Sequence, residues 1–536
     1  MSLSFVILII SMLYMPFMKL GLYMLEWDFL SIKFNLYFNS MLFSVILGLV
    51  TLSVLLYSTY YLHGEVNFNY YYFVLLIFVG SMFMLNYSSS VFTMLISWDL
   101  LGISSFFLVL FYNNWDSNSG AMNTALTNRI GDFFIFTFFS GVIFYGYYFY
   151  SFEMLCSVII LLLLLTSFTK SAQFPFSSWL PKAMSAPTPV SSLVHSSTLV
   201  TAGLILLMNF SKLMLNGSVM LVLLLIGLFT MFFSSVAALV EEDMKKVVAL
   251  STLSQMGFSM TTLGLGMSFI SFVHLVSHAL FKSCLFMQIG YIIHCSYGQQ
   301  DGRGYSNNGN LPMFMQLQLL VTLFCLCGLV FSSGMVSKDM ILEMFFMNSY
   351  LMFLSFMFFI SIFLTFGYSY RLWKGFFLSF SKIVSFFSST IIMNYLSLML
   401  VLFSIFFMWW LSYNMMVVPA MFLYIDFLVP LLYLLLIVLL SYYGFKLLFK
   451  ELVYKFLVDY LAKNSIYKTK NLKFMDNNLN KFGLMSFNFL GSTSMFFTGY
   501  MSSFKYNNLV ILVFLLFIFL WDFNLSLKYM ICIHKI

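Results

Sequence analysis

Charge is scarce in this 536-residue chain: Asp, Glu, Lys and Arg make up 8% of it, where about 25% is ordinary for a soluble protein. A soluble fold of this length needs a surface about a quarter to a third charged to stay dispersed. Twenty-five basic and 18 acidic side chains cannot cover one. Cysteine is also sparse. Cys156, Cys284, Cys295, Cys325, Cys327 and Cys532 include no CxxC pair, so the usual thiolate spacing of a zinc site or an iron–sulfur cluster is absent and they read as buried apolar residues. No GxGxxG opens a helix after a strand and no GxxxxGK[ST] is present, which leaves no legible dinucleotide or nucleoside triphosphate site. No cofactor or metal ligand set is expected on this chain, and any redox chemistry belongs to another. The net charge of +7 is no nucleic-acid footprint, because lysines are thin everywhere except toward the C-terminus.

What the chain has instead is hydrophobicity: 62% of its residues are apolar, its mean hydropathy is +0.97, and apolar runs of about 20 residues recur from end to end. The fold class expected is all-α, a polytopic membrane protein of about fifteen transmembrane helices. The spans fall near 3–24, 40–62, 70–86, 89–112, 130–150, 155–177, 187–210, 217–240, 244–266, 268–294, 313–347 (too long for one unbroken helix), 350–373, 391–413, 427–449 and 508–523. The N-terminal run lacks the charged leader and cleavage site of a signal peptide and reads as a retained span. Alternate loops then sort by charge. Arg129, Lys182, Lys245, Lys246, Arg303, Arg371, Lys374 and Lys382 fall on one side, and Lys19, Lys33 and Lys212 on the other. The positive-inside rule turns the first set toward the cytoplasm or matrix, with the N-terminus inside and the C-terminus outside.

The stretch 446–507 holds nine lysines among apolar residues and no run long enough to span. In FKLLFKELVYKFLVDYLAKN the polar positions Lys446, Lys450, Lys455, Asp459 and Lys463 recur every four or five residues, leaving Leu448, Phe449, Leu452, Phe456 and Leu457 for the opposite face. That pattern predicts a lateral amphipathic helix lying in the interface on the positive side. An ordinary lysine-rich loop is the competing reading.

An ionisable group inside a span costs at least a few kcal/mol and is by default a functional candidate. Asp99 sits about ten residues into a span, Lys170 follows VIILLLLLTSFT, and His195 lies beside the hydroxyls of Ser196, Ser197 and Thr198. In FVHLVSHALFKSCLF, His274, His278 and Lys282 are spaced i, i+4, i+8 and line one helix face. Lys338 and Asp339 follow FSSGMV, whose Ser332, Ser333 and Gly334 permit a helix break at membrane depth. A single membrane histidine is often only a packing residue, and Lys170 and Lys338 could snorkel to an interface. Arg129 and Asp132 in NRIGD read as a structural ion pair at a helix start. Asp, Lys and His each exchange a proton at a pH set by burial and neighbouring charge, so a row of them can relay protons. No aromatic cage or convergent Asn/Gln/Arg set marks a substrate cavity.

SWDLLGISSFFLV, NRIGD, TKSAQFPFSSWLPKAMSAPTPVSSLVHSSTLVTAG, DMKKVVALSTLSQMGFSM, HLVSHALFKSCLFMQIGYIIH, QQDGR and SKDMILE together cover roughly 85–345. Through them the chain resembles the antiporter-like subunits of the membrane arm of mitochondrial complex I, the NADH:ubiquinone oxidoreductase, and above all the most distal of them. The resemblance implies two inverted five-helix repeats, here 70–210 and 217–373, each with a broken helix carrying its lysine, Lys170 or Lys338. Around them it implies N-terminal helices at 1–69, further helices at 374–445, the lateral helix at 446–507 and a terminal anchor at 508–536. By motif, Asp99 takes the place of the glutamate paired with Lys170, and His195 links the half-channels. His274, His278 and Lys282 extend the central axis, and Lys338 with Asp339 stands near the exit; Arg129, Asp132, Ser196, Ser197 and Thr198 support them. Asp99 is one methylene shorter than the usual glutamate, which leaves room for a water between it and Lys170. The N-terminal region has one span where the family usually has two.

The implied function is proton translocation driven by redox chemistry elsewhere, with FMN, iron–sulfur clusters and ubiquinone on other subunits. The implied partners are membrane-arm subunits, held especially through the lateral helix, and membrane lipids; no nucleic acid is expected. The implied location is the mitochondrial inner membrane, which suits a composition of 69 Phe, 40 Met and 33 Tyr typical of a T-rich organelle genome. A stand-alone cation/proton antiporter subunit shares the central motifs, and another antiporter-like subunit of complex I is the nearer alternative.

Overall fold

The computed structural model describes residues 19–22, 32–143, 157–211, 216–305, 313–328, 332–334, 337–338, 341, 352–377, 400–405 and 495. The chain divides into two units, Met1–Val453 and Tyr454–Ile536, and all of these residues except Met495 belong to the first. The expected lateral helix, apart from Met495, lies outside the described residues, as do the terminal anchor, most of 374–445, and Asp339.

The first unit is a bundle of long helices. They are α1 (Phe38–Tyr61), α2 (Phe68–Tyr87), α3 (Val91–Val109), α4 (Trp115–Ile143), α5 (Ser157–Lys170), α6 (Thr188–Asn209), α7 (Gly217–Val240), α8 (Met244–Gly264), α9 (Ser268–Cys295), α10 (Met313–Cys327) and α11 (Met352–Phe377). Among the described residues six helices are long and apolar enough to cross a bilayer: α1, α2, α3 with its following turn, α6, α7 and α9. The chain is a multi-pass membrane protein. Its many buried serines and threonines bond back to carbonyls one turn earlier, as Ser44 does to Met41 (2.6 Å), Thr51 to Gly48 (2.9 Å) and Thr262 to Ser259 (2.6 Å). A hydroxyl satisfied within its own helix can be buried at little penalty, which keeps these helices compatible with lipid.

Three boundaries differ from the sequence reading. The span expected at 3–24 ends in a strand, because Lys19–Leu22 pairs antiparallel with Ile32–Asn35, Lys19 opposite Asn35. Helix α4 begins at Trp115 rather than near 130. Its first turns are polar by sequence and gain their support from tertiary packing: at Gly120 a Cβ would lie 2.7 Å from the Lys182 carbonyl, so only glycine allows this approach. Arg129, counted above with the loop charges, therefore sits inside a helix. The break expected at Ser332, Ser333 and Gly334 falls earlier, at Gly328, whose φ of +77° ends α10; Ser333 and Gly334 are themselves helical, as are Ser337, Lys338 and Ile341.

The two ends of the bundle follow the charge sorting. At one end the 241–243 and 296–304 loops join: Met244 N donates to Gln300 O at 3.0 Å and Gly302 N to Glu242 O at 2.9 Å. Arg303 bridges Glu242 and Asp301 at 2.9 and 2.7 Å, and Arg371 from α11 donates to the carbonyls of Ala238, Leu239 and Glu241 that finish α7. Lys33 is at the other end, its carbonyl accepting from Ser89 N at 3.0 Å. Lys245, by contrast, is buried and donates to Ala186 O at 3.4 Å. It behaves as an interior lysine rather than a loop charge.

Helices α7 and α8 pack closely because glycines line their seam. A Cβ at Gly257 would lie 2.8 Å from Met231 N, and one at Gly264 2.6 Å from Leu224 N. Backbone cannot yield as a flexible side chain can. Gly257→Val is therefore expected to destabilise the seam by about 1–3 kcal/mol or more, read as a reduced amount of full-length chain in its native membrane assembly at equal synthesis. Normal assembly would show that the seam tolerates separation.

Candidate functional site: a buried row of ionisable residues

Helix α5 stops at Lys170, and the chain turns through Ala172 at φ +55° into single turns at Phe176–Ser178, Trp179–Lys182 and Ala183–Ser185. The lysine is thus carried on a helix end inside the bundle, fully buried. It does not snorkel. Its ammonium donates to the Trp98 carbonyl at 2.7 Å and lies 3.7 Å from the centroid of the same residue's ring. Trp98 precedes Asp99 on α3, so the neighbour predicted for Lys170 is next to it in sequence, but the group that touches it is Trp98.

Asp99 turns toward Arg129, Oδ1 to Nη1 3.7 Å, and Arg129 also holds Asp132 at 3.1 Å. The three form one cluster between α3 and α4. Asp132 is the buried member, its side chain 6% exposed against 36% for Asp99. The local i, i+3 pair expected from NRIGD is present, at mid-helix rather than at a helix start.

His195 lies in a π-helical stretch of α6, Ser191–Thr198, with its ring 6.0 Å from Trp179. Both ring nitrogens are buried with no partner among the described residues. Ser196, Ser197 and Thr198 are buried beside it and donate to carbonyls of their own helix: Ser196 to Ser192, Ser197 to Leu193 at 3.1 Å and Thr198 to Leu193 at 2.9 Å. A π bulge widens the turn and leaves local backbone and side chains free to face inward, a distortion frequent at functional sites.

The i, i+4, i+8 row is present on α9, and all three residues are buried. His274 Nδ1 is 3.0 Å from Ser337 Oγ, which ties α9 to the broken helix around Lys338. Both nitrogens of His278 are buried without a partner among the described residues, and so is Gln255 Oε1 on α8. Lys282 donates to Ser251 Oγ of α8 at 2.5 Å. Lys338 is buried and donates to the Leu326 carbonyl at 2.5 Å, where α10 breaks. Lys170 and Lys338 thus share an arrangement: a buried ammonium at a helix interruption, held by a main-chain carbonyl.

Sequence reasoning missed the neutral groups that hold these lysines. Trp98, Ser251 and the Leu326 carbonyl carry no charge, and nothing in their motifs marks them as partners of a lysine. It also missed Gln173 and Thr230, which link the turn after Lys170 to α7 at 2.7 Å, and Ser254 with Tyr368, 3.1 Å apart between α8 and α11. Among the described residues no group of His, Cys, Asp and Glu has the arrangement of a metal site.

A bundle of interrupted helices with ionisable groups buried at the breaks is the architecture of an antiporter-type membrane protein. Residues 88–365 match the family of NADH:quinone oxidoreductase and Mrp antiporter transmembrane regions. The chain is 71% identical over 508 residues to NADH-ubiquinone oxidoreductase chain 5 of Caenorhabditis elegans, covering 95% of this chain and 96% of that one. It is 66% identical to the chain 5 of Ascaris suum, with 96% and 94% covered. The Mrp complex from Dietzia sp. shares the fold at a TM-score of 0.74 and 23% identity, over 88% of this chain and 56% of that chain. The chain belongs to the NADH:quinone oxidoreductase/Mrp antiporter family and, within it, to the NADH-ubiquinone oxidoreductase chain 5 proteins.

Proposed function

We propose that this chain is a proton-translocating subunit of the membrane arm of respiratory NADH:ubiquinone oxidoreductase in the mitochondrial inner membrane, moving protons along its buried row while redox chemistry proceeds on other subunits. The observation that carries this reading is that Lys170, Lys282 and Lys338 are all buried and held by neutral oxygens, with three buried histidines in the same bundle. A buried lysine tied to a neutral oxygen can exist with or without its proton, whereas one locked to a carboxylate stays charged. The paired helix breaks at Lys170 and Lys338 support two inverted repeats at 70–210 and 217–373. Asp99, Arg129 and Asp132 form the charge cluster that acts on Lys170, and Lys338 with Asp339 serves the exit.

Partners follow from the surface of α3 and α4. The Arg129 side chain is 57% exposed and Asp99 36%, among the outward-facing Ile96, Ile103, Leu126 and Phe133. Half-exposed charges at mid-span are expensive against lipid, so a neighbouring membrane subunit covers this face. The lysine-rich 446–507 segment clamps adjacent antiporter-like subunits along the membrane surface, in contact with lipid headgroups. FMN, iron–sulfur clusters and ubiquinone are carried elsewhere in the complex.

Native electrophoresis of gently solubilised membranes tests this assignment. The chain is expected to co-migrate with NADH dehydrogenase activity in a very large assembly. Migration apart from that activity would overturn it.

A further inference from the structure

We propose that Gly131 is a positioning residue for Lys170: its bare backbone, seated on Thr169, sets the separation of Lys170 from Asp132. The inference rests on the proton-translocating reading above. Gly131 lies in α4 and immediately precedes Asp132, while Thr169 is in the last turn of α5 and immediately precedes Lys170. A contact between Gly131 and Thr169 therefore fixes the level and spacing of the two buried ionisable residues that follow them. That contact leaves no room for a side chain. A Cβ at Gly131 would collide with Thr169 Oγ1 and lie 3.1 Å from Thr169 Cβ and 3.5 Å from its Cγ2. The hydroxyl is not free to swing aside, because it donates to the Thr166 carbonyl at 2.8 Å.

The same turn of α5 is closed in on another side by Gly203 of α6. A Cβ there would lie 2.5 Å from the Ser167 carbonyl oxygen and 3.2 Å from Ser171 N. That carbonyl is itself engaged, accepting from Ser171 N at 2.9 Å and from Ser171 Oγ at 2.7 Å, and the Thr169 carbonyl accepts from Trp179 Nε1 at 3.0 Å. Held by backbone and bonded carbonyls, the end of α5 cannot retreat toward α6. A methyl group added at Gly131 must therefore part α4 from α5, by roughly an ångström to reach ordinary contact. Asp132 moves with α4 and Lys170 stays with α5. Charge interactions in an apolar interior depend steeply on separation, and a misplacement of about 1 Å can cost a reaction step up to about 10².

The test uses the fully assembled complex in sealed membrane vesicles, with proton movement expressed per assembled complex. Gly131→Ala is expected to lower NADH-driven proton movement about tenfold or more. Adding Thr169→Ala to it should restore most of the loss, since Oγ1 and Cγ2 are gone and the remaining 3.1 Å contact is relieved by a shift of a few tenths of an ångström. Thr169→Val sets a bulkier methyl where the hydroxyl faces Gly131 and should give a smaller loss. It decides the matter if Gly131→Ala does not assemble, normal proton movement then overturning the proposal. A purely structural glycine would lower the amount of complex and leave proton movement per complex unchanged. That result, or failure of Thr169→Ala to restore Gly131→Ala, would also overturn it. Lys170→Met is measured in parallel. If Lys170→Met alone fails to pump, the positioning role is wrong and the translocation reading stands; if Lys170→Met also pumps normally, that reading falls with it.

Discussion

Lys282→Met is expected to lower NADH oxidation by the intact complex about tenfold or more without loss of assembly. Methionine nearly matches the lysine in length and is at home in an apolar interior. It removes the only group in the His274, His278, Lys282 row that carries an ammonium. Loss of one proton-transfer group typically slows such a step by about 10² to 10⁴. Lys282 is held at 2.5 Å by Ser251, a residue that keeps its own partners, since Ser254 also donates to the Ser251 carbonyl at 2.9 Å. The substitution therefore leaves no buried charge unpaired and little reason for misfolding. Oxidation of NADH by membranes carrying equal amounts of complex is the readout, and wild-type turnover would reduce Lys282 to a packing residue.

The second large effect is expected at Asp132. Sequence reasoning places the partner of Lys170 at Asp99, but Asp99 is half exposed and engaged with Arg129 at 3.7 Å, whereas Asp132 is the buried carboxylate of the same cluster. Asp132→Asn nearly keeps the shape and removes the charge. It leaves Arg129 opposed by Asp99 alone, so the net charge of the cluster shifts toward positive. Asp132→Asn is expected to depress proton movement at least as far as Asp99→Asn. Combined with Lys170→Met it should add little, because both substitutions disable one unit. Additive losses in the double variant would show that Asp132 acts independently of Lys170. Normal pumping in Asp132→Asn would make it a structural residue only.

Much of this site is legible in the sequence because charge is so unusual within apolar runs. Asp99, Lys170, His195, Lys338 and the α9 row stand out against their surroundings, and burial confirms that none of the described members is a surface residue except the half-exposed Asp99. Helix periodicity alone places His274, His278 and Lys282 on one face. What is not legible depends on tertiary packing. Lys245 and Arg129 read as loop charges because a polar residue at the edge of an apolar run normally marks its end, yet Lys245 is buried against the Ala186 carbonyl and Arg129 lies inside α4. The Ser- and Asn-rich opening of α4 is helical because Gly120 seats it against the Lys182 carbonyl, a contact between residues more than sixty positions apart. Strand pairing at Lys19–Leu22 is similarly non-local, since its partner is Ile32–Asn35. The neutral oxygens that hold the lysines are invisible for a simpler reason. Every residue has a carbonyl, and this chain has many serines.

Proton carriage by the row is tested most directly by the ratio of protons moved to NADH oxidised in sealed vesicles, measured for Lys170→Met at wild-type assembly. The lysine sits on its helix break against Trp98, and no other cation of the row occupies that position. If these residues carry protons, Lys170→Met lowers the ratio, or lowers turnover with it when oxidation and transfer are tightly coupled. Wild-type turnover together with a wild-type ratio would contradict it.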